Sequence, residues 1–287
     1  MREPAVSGRF YRRGNELLRE QVRDCFSHKF GPGKIPELAK PGARKIMGAV
    51  FPHAGYEYSG PIAAHTAAAL AEDGFPKTFI IIGPNHHGYG AGIAVSTEAF
   101  STPLGKVDVD VELARKLCGN GIVEDPAAHA EEHSVEVLLP FLQYFSSELR
   151  FVPIVMGLQD VPAATVLGER IAKFAEGDVV VAASTDFTHA GMSYSHMPPK
   201  GMSAGEFAKR EDAKAIERIL AMDPKGLIET VRKNNISMCG YGCVAAMLTA
   251  VKRMGANRAK LLKYATSADV VPGDREIAVG YGSFVVH

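Results

Sequence analysis

Three short apolar runs in this chain each stop abruptly and hand over to histidine or aspartate. Residues 46–51 lead into Pro52-His53-Ala54-Gly55-Tyr56, residues 79–82 into Gly83-Pro84-Asn85-His86-His87-Gly88, and residues 179–183 into Ser184-Thr185-Asp186-Phe187-Thr188-His189. Runs of this length without polar alternation read as strands buried on both faces, the condition of a parallel sheet covered by helices above and below. Ligands of such sheets bind in the crevice beyond the carboxyl ends of the strands. The pattern therefore predicts an edge at which histidine and aspartate side chains from distant parts of the chain meet.

The remaining elements extend this arrangement. Helical spacing of apolar residues predicts helices over 15–26, with Asn15 as N-cap, and over 60–72, 110–118, 163–174, 206–222, 224–234 and 241–254. A further helix is expected over 134–145, bent or interrupted at Pro140. Strands are expected over 151–156, 259–267 and 276–286, with 92–109 as an antiparallel excursion around the turn Pro103-Leu104-Gly105. Residues 2–11 have no clear period and are expected to lie over the surface or rim. Residues 191–205, rich in Gly, Ser, Met and Pro, suit a lid. Alternating strands and helices of these lengths give an α/β fold, a three-layer α/β/α sandwich around a mostly parallel, mixed central sheet. Residues 1–287 are expected to form a single domain, since no linker, repeat or low-complexity run divides them.

Charge narrows the partners. With 32 basic and 32 acidic residues the net charge is zero, so no electrostatic footprint for nucleic acid or an anionic membrane exists. No apolar run has the length of a bilayer span, and the first residues lack a secretory pattern, so a cytoplasmic protein is expected. Cys25, Cys118, Cys239 and Cys243 form no C-x-x-C pair, which suits free thiols in a reducing compartment.

Several residues could carry chemistry. Pro52 and Gly55 hold a rigid, closely approached backbone around His53. His86 and His87, adjacent at a strand end, point to different sides, so one is expected to face the site. Asp186 and His189 read either as a cap with an exposed imidazole or as a carboxylate that orients a proton-transferring histidine. His129, His133 and Glu136 would share a helix face and offer a metal site there. The alternative makes the acidic residues, with Glu132, helix-start or supporting groups. Cys239 precedes Gly240 and a helix; that position favours the thiolate and makes it the cysteine most suited to bind an ion or attack a substrate. Cys243 suits packing.

The strings P-H-A-G-Y-x-Y-S-G from Pro52, G-P-N-H-H-G from Gly83, E-H-S-V-E from Glu132, S-T-D-F-T-H from Ser184 and C-G at Cys239 resemble the Memo family in order along the chain. That family is similar in fold to the class III extradiol dioxygenases, non-haem iron enzymes that open catechol rings. The resemblance implies a metal held by His53, His86 and Cys239, with His189 as acid/base and Asp186 beside it. It leaves His87, His133, Glu136 and Tyr56 as supporting or substrate-contacting residues. A thiolate in place of the dioxygenases' carboxylate admits Fe(II), Cu or Zn. The implied function is a metal-dependent redox enzyme acting on a small molecule; the alternative is a non-catalytic protein that binds metal or a peptide in the same cleft.

Overall fold

The computed structural model describes residues 1–287 apart from Pro41, Ala43, Glu176 and Asp274. Among the described residues the strands are β1 (Gly48–Phe51), β2 (Thr78–Pro84), β3 (Ile93–Val95), β4 (Phe100–Thr102), β5 (Gly105–Val109), β6 (Ile122–Glu124), β7 (Arg150–Met156), β8 (Val179–Ser184), β9 (His189–Ala190), β10 (Ala259–Thr266) and β11 (Ala278–Val286). The helices are α1 (Asn15–Ser27), α2 (Gly60–Asp73), α3 (Val111–Leu117), α4 (Leu139–Gln143), α5 (Val161–Phe174), α6 (Ala204–Leu220), α7 (Pro224–Lys233), α8 (Tyr241–Arg253) and α9 (Ser267–Val270).

The three apolar runs become β1, β2 and β8, and every residue in them is buried. They lie side by side in the order β1-β8-β2-β7, all parallel. Phe51 pairs with Ser184 and Ile82 with Ala183, so the three strands end level with one another. Antiparallel strands β11 and β10 extend the sheet beyond β1, and β3 extends it antiparallel beyond β7. The result is the mixed, mostly parallel sheet that the apolar runs predict.

Small residues let the helices approach. A Cβ on Gly48 of β1 would stand 2.7 Å from the sulfur of Met247 in α8, so glycine there permits the contact between strand and helix. The Thr66 hydroxyl of α2 donates to the carbonyl of Val50 at 2.8 Å and ties that helix to the strand before the site. Helix α2 packs with α1, while α8 packs with α5 and α7. Among the described residues no helix is long and apolar enough to cross a membrane.

Local predictions depart from the structure in instructive places. Gly14, not Asn15, is the N-cap of α1, and the Asn15 amide instead donates to the Pro103 carbonyl. Residues 134–145 do not form one bent helix: a 3-10 turn, Glu136–Leu138, precedes α4. Pro140 lies in the first turn of α4, where its missing N–H has no intrahelical partner to lose. The excursion over 92–109 is antiparallel in the β4–β5 hairpin, but β5 itself runs parallel to β7.

Candidate functional site

The level ends of β1, β8 and β2 deliver His53, Asp186 and His86 to one edge. Turning back after β8, the chain adds His189 at the start of β9, which pairs with β11. These residues line a cavity of about 440 Å³, together with His87, His133 and the aromatic side chains of Phe10, Tyr58, Tyr194 and Tyr281. One ring nitrogen from each of His53, His86 and His133 lies within 4.8 Å of the others. Their rings meet edge to face or stacked, with centroids 5.1 Å apart for His53–His86, 5.5 Å for His53–His133 and 4.6 Å for His86–His133.

Hydrogen bonds fix which nitrogen of each ring is free. The Ser184 hydroxyl has one proton and gives it to the Ser134 carbonyl at 2.6 Å, so at 2.7 Å from Nδ1 of His53 it can only accept. Neutral His53 therefore carries its proton on Nδ1 and its lone pair on Nε2. Nδ1 of His86 donates to Glu132 Oε1 at 2.9 Å, the carboxylate–histidine arrangement that orients metal-binding imidazoles. Nδ1 of His189 donates to the Ser237 carbonyl at 3.1 Å. All three rings are left with Nε2 as the basic atom.

Cys239 joins the group through His53, its Sγ 3.3 Å from His53 Nε2. Bonds of about 2.0 Å to nitrogen and about 2.3 Å to sulfur at tetrahedral angles put two donors to one ion about 3.5 Å apart, so this spacing fits a shared ion. The Asp186 N–H also donates to Sγ, at 3.2 Å. The position before α8 does not by itself yield a thiolate: burial, and then the charge of Asp186, push the thiol up. A coordinated cation would reverse that balance and remove the proton.

The electrostatics favour the neutral form of His53 and His133. Burial, then the neighbouring His86 and His133, hold His53 well below the ordinary histidine range. Burial likewise brings His133 down to about 4, against the opposing pull of Glu132. Burial pushes the Glu132 carboxyl up, but its hydrogen bonds with His86 and the charge His86 carries when protonated outweigh this, and the net direction is down. Neutral imidazoles beside an ionised carboxylate suit a cation.

Other predicted residues have different places. Asp186 makes no hydrogen bond to His189, although the two interact through charge; its Oδ1 accepts from the backbone N–H of His53 at 2.8 Å, and burial pushes its carboxyl up against the opposing pull of His189. Glu136 is fully buried away from the cavity, where it accepts from the N–H groups of Ala5 and Val6 and pairs with Arg2 and Tyr11. His129 is buried with Nε2 on the Ala94 carbonyl, so the helical site of His129, His133 and Glu136 does not form. Tyr56 is buried, its hydroxyl donating to the Val137 carbonyl; Tyr58 is the tyrosine that lines the cavity. His87 is exposed at the rim and stacks on Tyr89. His87, Glu132 and His133 also cluster. There, however, the Glu132 oxygens already accept from His86 N and Nδ1, His133 N and Ser134 N, which leaves little for a cation.

The N-terminal segment, expected over the surface or rim, lies at the cavity, but sequence reasoning did not say which of its side chains form the wall. Phe10 meets the His133 ring edge-on at 4.7 Å, and Val6 and Arg9 line the same cavity. The only local signal was the paired aromatics Phe10-Tyr11.

A family model described as Memo-like protein matches residues 2–285. A MEMO1 family protein of Methanopyrus kandleri is 47% identical over 291 residues, covering 99% of this chain and 98% of its own. Another, of Methanothermobacter thermautotrophicus, is 43% identical over 287 residues, covering 98% of each. A third, of Pyrococcus abyssi, is 42% identical over 299 residues, covering 100% of this chain and 99% of its own. Among solved structures, that of an uncharacterized protein from Escherichia coli K12 has a TM-score of 0.50 at 13% identity, covering 84% of this chain and 100% of that one. At that identity the likeness is one of fold.

Proposed function

The chain belongs to the Memo-like protein family, and from that premise we propose that it is a metal-dependent oxidoreductase with dioxygenase-like chemistry. Its ion is held by His53, His86 and Cys239. The observation that carries this reading is that His53 meets donors on two sides: ring nitrogens of His86 and His133 within 4.8 Å, and Cys239 Sγ at 3.3 Å. The donor set mixes imidazole and sulfur and favours Fe(II) or copper, with zinc as the redox-silent occupant. When bound, a redox-active ion supplies electron transfer and a Lewis-acid position that no side chain of the chain offers.

The protein's own groups do the rest. Ser184 and Glu132 hold the His53 and His86 rings with Nε2 free. His189, held through Nδ1 by Ser237, keeps Nε2 as a proton acceptor at the cavity wall. His133, beside Phe10, lies close enough to His53 and His86 to contact either the ion or a small-molecule ligand. Phe10, Tyr58, Tyr194 and Tyr281 give the cavity flat apolar walls that suit a planar ring.

The test is metal analysis of protein purified and loaded without oxygen, followed by oxygen uptake with aromatic diols. One ion per chain in the wild type and loss in His53→Ala support the reading. Absence of stoichiometric metal would end it, and metal without oxygen uptake would favour a non-catalytic metal-binding protein.

A further inference from the structure

The cavity over the histidines does not end at its aromatic wall. Tyr58, Tyr194, Val279 and Tyr281 line it and also line a second cavity of about 400 Å³ beyond. The two compartments differ in chemistry. The first presents His53, His86, Asp186 and His189. Among the described residues lining the second none is charged; its far side is Ala268, Val271, Pro272 and Ile277. The one hydroxyl there outside the tyrosines, that of Ser267, already accepts the Val279 N–H at 3.0 Å. Tyr58, Tyr194 and Val271 are 41%, 42% and 39% exposed around one mouth, a clustering of apolar surface that marks ligand grooves.

We infer that the natural ligand is amphipathic and elongated, with a polar head at the histidines and an uncharged apolar tail in the second compartment. The position of the head rests on the proposed function; the tail site stands on the second cavity alone. No charged side chain among the described residues lining that compartment would compensate a buried charge, whereas methylene groups gain from leaving water. The side chains shared by both compartments would grip the point where head and tail join, which makes Tyr58 and Tyr194 the residues that set tail length and shape.

Two measurements separate the tail site from the head site. The uncharged fluorophore N-phenyl-1-naphthylamine is titrated into metal-free wild type and into Val271→Asp, an exposed position that tolerates the change. Saturable binding in the wild type, weakened more than tenfold in the variant, is expected; no binding, or equal binding in both, would overturn the inference. Then 4-alkylcatechols from methyl to hexyl are titrated into Fe(II)-loaded protein under anaerobic conditions. Affinity should rise about fourfold per methylene in the wild type and stay flat in Val271→Asp, with the methyl compound bound equally by both. A flat series in the wild type overturns the inference. If the fluorophore binds as expected and no catechol does, the metal reading fails while the apolar site stands.

Discussion

Nε2 of His53 and Sγ of Cys239 stand 3.3 Å apart although 186 positions separate them in the chain. His53 is carried by the turn after β1, and Cys239 by the turn before α8. Gln159 fixes the latter: its amide donates to the Cys239 carbonyl and its oxygen accepts the Gly242 N–H, each at 2.8 Å. If both atoms bind one ion, Co(II)- or Cu(II)-substituted protein should have a sulfur-to-metal charge-transfer band. That band should vanish in Cys239→Ser, with affinity down at least tenfold, and persist in His133→Ala. A spectrum without the band, or one lost with His133 instead, would replace the sulfur by a third imidazole.

One carboxylate gathers four groups of the N-terminal segment, which is also held through Arg2 by the carbonyls of His129 and Glu132. Glu136 accepts from Ala5, Val6, Arg2 and Tyr11 with a fully buried side chain. Glu136→Ala would leave the buried Arg2 guanidinium without its carboxylate, with only the His129 and Glu132 carbonyls to accept from it, a loss of about 3–5 kcal/mol, to be read by urea unfolding. Since Phe10 touches His133, the same variant should also loosen the cavity wall and expose backbone amides of residues 5–11 to hydrogen exchange. Unchanged protection there would mean that the segment is held by other contacts.

What the sequence made legible was what depends on local pattern. Buried strands have continuous apolar runs, and their abrupt ends at Pro52, Gly83 and Ser184 located His53, His86 and Asp186 on one edge. Contacts across more than a hundred residues leave no such mark: nothing near Glu136 announces Arg2, Ala5 or Tyr11. Side-chain direction in turns was also hidden. Tyr56 and Tyr58 lie two apart in a turn rather than a strand, so alternation could not say which faces the cavity. His133 and Glu136 were placed on a common helix face, but the chain there forms a short 3-10 turn, and the two side chains diverge.

Behind His189, burial lifts the Asp212 carboxyl to about 6, although it accepts the Thr188 N–H at 2.9 Å and the Tyr264 hydroxyl at 2.6 Å. A carboxyl whose folded value exceeds its unfolded one is relatively stabilising while protonated. That contribution is complete below the unfolded value near 4 and is lost as pH rises through about 6. The wild type should therefore lose about 2 kcal/mol relative to Asp212→Asn between pH 4 and pH 7. Paired denaturant titrations across that range would detect it, and a constant difference would mean that Asp212 keeps an ordinary carboxyl value.

The proton positions on the imidazoles can be read directly. In metal-free protein above the histidine titration range, nitrogen-15 spectra should assign His53, His86 and His189 to the Nδ1–H form, because Ser184, Glu132 and the Ser237 carbonyl each accept from Nδ1. A histidine side chain free in water favours the other tautomer, so this is an effect of the fold and not of the ring. Removing one acceptor should act on one ring. Ser184→Ala deprives His53 of its acceptor and leaves the Ser134 carbonyl without its donor, so it should cost about 1–3 kcal/mol and shift His53 alone toward Nε2–H. Once that proton occupies Nε2 the atom cannot bind an ion, and metal affinity should fall even though every ligand residue is intact. An Nε2–H signal from wild-type His53, or a Ser184→Ala variant with His53 unchanged, would show that the hydroxyl chain from His53 through Ser184 to Ser134 does not set the tautomer.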